Sequence, residues 1–222
     1  MIRVYVVVEG KTEAVFVDEL LAPRFWPLEI YLTPILLGTS GHKGGNTKFD
    51  RAQRHLVRLL KTDGQAYCTT MFDYYALGKG FPGAHTGGPL QEQVARIERE
   101  WKRQTCFEVP DGRADVRFIP HLCMHEFEAL LFSDPFKLAQ SSGIEKAGRE
   151  LQAVREAFPS PEDINDSPDT APSKRIARAI PGYDKVFDGI RAAEAIGIAK
   201  MQQECPHFRQ WIEQLLAITP IP

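Results

Sequence analysis

The chain has 222 residues, 43% hydrophobic and 25% charged, which excludes a disordered polymer and suits one soluble domain with a sizeable core. Lysine and arginine total 27 against 29 acids, a formal charge of -2, so any nucleic-acid contact has to come from a local patch. The first residues lack signal-peptide marks, no apolar stretch approaches the roughly 20 residues that cross a bilayer, and Cys68, Cys106, Cys123 and Cys205 form no CxxC pair, which predicts a cytoplasmic protein with reduced thiols and no membrane contact.

Residues 2–8 are a valine-rich apolar run, the pattern of a strand covered on both faces in a parallel sheet. Gly10 permits a sharp turn, and Val15, Phe16, Val17, Leu20 and Leu21 predict a buried helix over 13–21 that stops before Pro23. A second strand covers part of 29–37, followed by a glycine-rich polar stretch over 38–46. The helix expected over 48–61 has two faces: Phe49, Ala52, Leu56, Leu59 and Leu60 form an apolar stripe, and Arg51, Arg54, Arg58 and Lys61 recur along another.

A strand over 65–72 ends at Asp73, and 78–88 reads as a long, exposed, mobile loop. A helix over 89–104, a strand over 115–123 and a short helix over 125–132 complete an alternation of strands and helices. That order argues for an α/β fold with a mainly parallel sheet flanked by helices. Beyond Ser133 the pattern is mostly helical, with helices expected over 143–158, 173–179, 183–201 and 206–217, and a Pro- and Asp-rich loop or hinge over 159–172. The organisation expected is one domain over 1–222, an α/β core over 1–133 carrying a helical extension over 134–222.

Glu9 and Asp73 each follow an apolar run, so parallel strands would bring both to adjacent carboxyl ends, where open α/β sheets build their sites. Glu13 lies one helical turn beyond Glu9; it either faces the same ion or complements a helix dipole. Hard Mg²⁺ or Mn²⁺ takes such oxygen ligands together with substrate phosphate. Gly10-Lys11-Thr12 is no phosphate loop, because Tyr5 stands where that motif needs glycine. Asp73 is alternatively a turn cap, and Tyr75 either packs or reaches a phosphate.

Glu126 and Glu128 follow the 115–123 strand and read as further acidic ligands or as an acidic first helical turn. Zinc on His121, Cys123, His125, Cys205 and His207 is disfavoured by the spacing. Arg51, Arg54, Arg58 and Lys61, with Lys43 and Lys48, form either a solvated face or a contact for a polyanionic backbone. Lys174, Arg175, Arg178 and Lys185 form a second basic cluster, from which Lys174 or Lys185 could stabilise charge on a departing oxygen.

In order, Val8-Glu9-Gly10-Lys11-Thr12-Glu13, Met71-Phe72-Asp73-Tyr74-Tyr75, His125-Glu126-Phe127-Glu128-Ala129-Leu130-Leu131, Ala171-Pro172-Ser173-Lys174-Arg175-Ile176 and Cys205-Pro206-His207-Phe208 resemble a family of unknown function, DUF4276, grouped with Toprim-like proteins. The likeness spans nearly the whole chain. It implies a Toprim-like (Rossmann-like) fold, shared with topoisomerases, bacterial primases and overcoming-lysogenization-defect (OLD) nucleases. The last carry a glutamate after the first strand, often with a second four residues on, and Glu9 and Glu13 match that pattern. The resemblance implies Mg²⁺- or Mn²⁺-dependent cleavage of DNA or RNA, beside a partner ATPase, in defence against phage or plasmids.

The Toprim pair Asp-x-Asp reads Asp73-Tyr74-Tyr75 here, and Glu126 or Glu128 is inferred to replace the missing aspartate. The expectation is then that Glu9, Asp73 and Glu126 hold the ion, with Glu128 a further ligand, Glu13 or Glu128 positioning water and Lys174 assisting the departing oxygen. Arg51, Arg54, Arg58, Lys61 and Arg175 would contact the nucleic acid. Two alternatives stay open: a Toprim-like module that binds nucleic acid or a partner without cleaving, and an enzyme of a small phosphorylated compound.

Overall fold

Strand β1 (Ile2–Val8) is apolar because it is covered: Val4, Val6, Val7 and Val8 are all buried. The computed structural model of the protein describes residues 1–37, 48–78, 80–84, 87–165 and 168–221. The glycine-rich stretch expected over 38–46, including Lys43, lies outside the described residues. Two compact units emerge, residues 1–122 with 214–222 and residues 123–213.

In the first unit, helix α1 (Lys11–Val15) follows β1 and widens into a π-helical turn over Phe16–Leu21. Two 3₁₀ turns, Ala22–Arg24 and Trp26–Leu28, each carry a proline in their first positions. Pro23 and Pro27 have no N–H with which to continue an α ladder, so the helix expected over 13–21 starts earlier and ends in tighter turns. Strand β2 (Ile30–Leu36) lies parallel to β1, from Ile2 opposite Ile30 to Val8 opposite Leu36, and places Pro34 opposite Val6.

Helix α2 (Phe49–Thr62) then leads to β3 (Ala66–Asp73), parallel to the other side of β1 with Val8 opposite Met71. Helix α3 (Leu90–Glu108) outruns its expected end, because Trp101 and Thr105 are buried and both bond Gln53 of α2. The sheet order is β2-β1-β3-β4, with β4 (Phe118–Ile119) parallel to β3 and a short β5 (Leu122–Cys123) also paired to β3. This is the parallel sheet flanked by helices that the sequence predicts.

Two expectations change. The strand expected over 115–123 is instead a helical turn, α4 (Ala114–Arg117), followed by two short strands. The turn delivers the buried Arg117 guanidinium to the carbonyls of Leu60 (2.8 Å) and Asp63 (2.9 Å) and to the Asp111 carboxylate (2.9 Å). The 78–88 segment, of which 79, 85 and 86 lie outside the described residues, is not simply exposed. Phe81 is 3% exposed, and its ring centroid lies 5.3 Å from that of Phe49 and 5.2 Å from that of Trp101.

The second unit is helical; it takes in residues 123–133, which were expected in the α/β core, and ends at 213. A fully buried 3₁₀ segment, Phe127–Ser133, runs through it. Around it come α5 (Pro135–Ser141), α6 (Ala147–Glu156), α7 (Pro172–Ala179), α8 (Phe187–Ile196), α9 (Ile198–Glu204) and α10 (Pro206–Leu216). Helix α5 was not foreseen; Asp134 caps it, accepting from the Lys137 amide at 3.1 Å. The single helix expected over 183–201 is broken at Gly197, whose φ of 84° is a left-handed conformation that favours glycine.

At the opening of β1, Arg3 donates to Asp63 through Nε (2.9 Å) and Nη2 (2.8 Å), and the Tyr5 hydroxyl adds a bond of 3.1 Å. The Arg3 hydrogen bond is the main reason the Asp63 carboxyl falls from 3.8 to about 2. A folded-state value below the unfolded one stabilises the fold above pH 4, and that stabilisation is lost as pH falls through 2. With the Arg3 side chain 41% exposed, solvent screening leaves roughly 1 kcal/mol of it. Urea titrations of wild type and Asp63→Asn at pH 5, 3 and 2 should converge by that amount across the acid range; parallel curves would exclude the pair as a contributor.

Candidate functional site

Chain order places a topological switch beside β1, since β2 pairs on one of its sides and β3 on the other. Open α/β sheets receive ligands in the crevice beyond the strand ends at such a point. Glu9 follows β1 directly and Asp73 is the last residue of β3. The Asp73 amide donates to Glu9 Oε2 at 3.3 Å, so the two strand ends are joined through the acid itself.

Gly10 completes the arrangement by lacking a side chain. Its backbone is extended, and a Cβ there would stand 2.9 Å from Glu13 Oε2, so the place a side chain would take is held by the Glu13 carboxylate. Glu13 is buried, while Glu9 and Asp73 are half-buried. Glu9 and Asp73 are thus joined at the carboxyl edge of the first unit, with the Glu13 carboxylate against Gly10 next to Glu9 in the chain.

Tyr74 is committed to scaffolding. Its hydroxyl donates to Gln93 Oε1 (2.9 Å), Gln93 Nε2 donates to the Gly88 carbonyl (2.7 Å), and burial pushes its pKa up. Tyr75 is exposed beside it.

Of the other expected site residues, Arg51, Arg54, Arg58 and Lys61 lie on α2 of the first unit, and Glu126, Glu128, Lys174 and Arg175 belong to the second. Glu126 Oε2 accepts from the Ser173 amide at 2.9 Å, a cap supplied from a distance to α7, whose own N-cap is Ala171. Glu128 is 1% exposed, with Lys185 Nζ 2.8 Å from its Oε1; burial raises its pKa and Lys185 opposes that rise. Lys174 is exposed on α7. Arg175 donates to the Thr170 carbonyl (2.7 Å) and lies over the Phe158 ring at 5.4 Å, so the unit's own packing engages its guanidinium.

One residue of the zinc alternative, Cys205, is poorly suited to a metal. Burial pushes the Cys205 thiol up, away from the thiolate that zinc needs, and its Sγ meets Ser133 Oγ at 3.4 Å. Burial lowers His125 to about 4, so its imidazole is neutral at pH 7. A residue the sequence reading missed is Glu162, which accepts from the His207 (2.8 Å) and Phe208 (2.9 Å) amides at the start of α10. Its local signal, Ser160-Pro161-Glu162, marks only a 3₁₀ turn.

Over residues 8–216 the chain matches the family described as a domain of unknown function, DUF4276. It belongs to that family. No curated protein and no solved structure matches the chain. The DUF4276 span opens one residue before Glu9 and closes at the last residue of α10, so it takes in every acid described above. Among the described residues no helix is long and apolar enough to cross a membrane.

The Glu126 cap can be tested apart from any chemistry. Glu126→Ala should lower unfolding free energy by about 1 kcal/mol in urea, the size of a lost helix cap, while Glu126→Gln keeps an acceptor oxygen and recovers most of it. Equal losses in the two variants would show that the carboxylate's charge, not its capping bond, matters.

Proposed function

We propose that this DUF4276 protein is a phosphodiesterase that uses Mg²⁺ or Mn²⁺ to cleave DNA or RNA. The observation that carries the reading is the joining of the β1 and β3 carboxyl ends through Glu9 and the Asp73 amide, at the switch point of a parallel sheet. The Toprim-like resemblance agrees with it and adds its setting, a cytoplasmic nuclease beside a partner ATPase in defence against mobile elements.

The residues fit a hard divalent ion. Glu9, Glu13 and Asp73 offer only carboxylate oxygens, and Gly10 leaves Glu13 the place a side chain would fill. When bound, such an ion would supply Lewis acidity and a water activated at neutral pH. The chain does the positioning. The Asp73 amide orients the Glu9 carboxylate, the buried Glu13 directs the proton of an attacking water, and Asp73 closes the set from the neighbouring strand.

Tyr75 favours a second reading. It stands exposed where Toprim proteins carry their second aspartate, as in a module that binds nucleic acid without cutting it.

Purified protein is offered supercoiled plasmid, single-stranded DNA and structured RNA with Mg²⁺, Mn²⁺ or EDTA. Glu9→Gln should reduce metal-dependent cleavage at least about 100-fold, roughly 3 kcal/mol of transition-state stabilisation, with little change in melting temperature. Cleavage at the wild-type rate by that variant would sink the proposal, and a wild type that binds Mn²⁺ yet cuts nothing would select the second reading.

Gly10→Ala probes the same site by steric means. The new methyl displaces the Glu13 carboxylate, so calorimetric Mn²⁺ affinity should fall about tenfold while stability changes by no more than about 0.5 kcal/mol. Unchanged Mn²⁺ affinity would remove Glu13 from the site.

A further inference from the structure

Helix α2 turns its apolar side inward. Phe49, Ala52, Leu56, Val57 and Leu60 are buried, and the Phe49 ring packs against Phe81 and Trp101. The outward side carries Arg51, half-buried, with Arg54, Arg58 and Lys61 exposed. At 100° per residue all four fall within about a quarter of the helix circumference, in one row about 15 Å long. Among the described residues none of them has an ion-pair partner; the Arg54 guanidinium bonds only the Asp50 backbone carbonyl, at 3.1 Å.

His55, flanking the row, is lowered in pKa chiefly by burial and further by Arg58 and Arg51. Asp50 is the only acid of the helix. A row of like charges with no ion-pair partner among the described residues is unfavourable in the isolated protein, and an incoming polyanion relieves it.

We infer that the outward face of α2 is a track for the sugar-phosphate backbone of one nucleic-acid strand, which leads it to the carboxyl edge of the sheet. The crossover from β2 to β3 makes α2 run antiparallel to the strands. Arg51 in its first turns therefore lies at the end where Glu9 and Asp73 stand, and Lys61 at the opposite end. Arginine predominates in the row, and its forked guanidinium matches phosphate oxygens better than lysine does.

The occupant is a strand rather than a membrane surface, because a helix that lies on lipid inserts an apolar face, and here that face is already the core of the unit. It is a single strand rather than a duplex, since one row of cations meets one row of phosphates, whereas a duplex presents two rows across a groove about 12 Å wide. The inference rests on the proposed function for the strand's destination; binding to the track is tested without cleavage.

Full-length protein carrying Glu9→Gln is titrated in EDTA with labelled thymidine oligomer, with duplex of equal length and with anionic phospholipid vesicles, at several KCl concentrations. For three phosphate contacts the single strand should bind with a log–log salt slope of about -2, and Arg58→Ala should make the slope shallower by about 0.7. Arg54→Ala with Arg58→Ala should weaken binding at least about tenfold at low salt, without a change in far-ultraviolet circular dichroism.

Undiminished binding by the double variant, a preference for duplex, or vesicle capture that the double substitution removes would each overturn the track. Because cleavage is absent throughout, loss of the track leaves the Glu9 experiment standing, and failure of cleavage leaves the track standing.

Discussion

The first unit is organised around a buried cation. Arg117 has no solvent access, and its guanidinium ties the last turn of α2, the bend into β3 and Asp111 together. Stripping water from an arginine is costly, and it is tolerated only where carbonyls and a carboxylate replace the lost hydration. Among the described residues the Arg117 Nε has no hydrogen-bond partner. The benefit is register. With the α2–β3 bend fixed, Ala66 falls opposite Arg3, and the parallel pairing carries that alignment along to Val8 and Met71, just before Glu9 and Asp73. The acidic edge is therefore set from the far end of the sheet.

How much of this was legible in the sequence depended on how local each cause is. Strand β1 announces itself through unbroken valines, and Glu9 and Asp73 were placed together by topology alone, which the Asp73 amide contact on Glu9 matches. The 114–117 helical turn could not be read, because Val116, Phe118 and Ile119 look like strand and the reason for the turn is the reach of Arg117 to carbonyls more than 50 residues earlier. Likewise Phe81 looked like loop material until Phe49 and Trp101 closed around it. Glu126 read as a ligand or as a first-turn acid, and its bond to the Ser173 amide was hidden because that amide is 47 residues away.

The second unit shows a recurring solution to a problem created by proline. Helices α7 and α10 both begin with proline, which offers no N–H, and the residues before them, Ala171 and Cys205, have no side-chain oxygen to accept from the following amides. Glu126 serves one helix and Glu162 the other, each from a distant segment. Glu162 is buried, and desolvation raises its pKa even as the two amide bonds oppose that rise. Acids that a sequence scan would collect as metal ligands are thus also the means by which helices with poor local caps begin where they do.

Pro34 bears on how the sheet meets other chains. Among the described residues strand β2 is its outer strand beside β1, and exposed Tyr31 and Leu36 would make it inviting to another extended chain. A proline within that strand has no hydrogen to give, so an added strand would meet an interrupted ladder. Such an interruption works against edge-to-edge pairing of sheets, the hazard that an apolar outer strand carries.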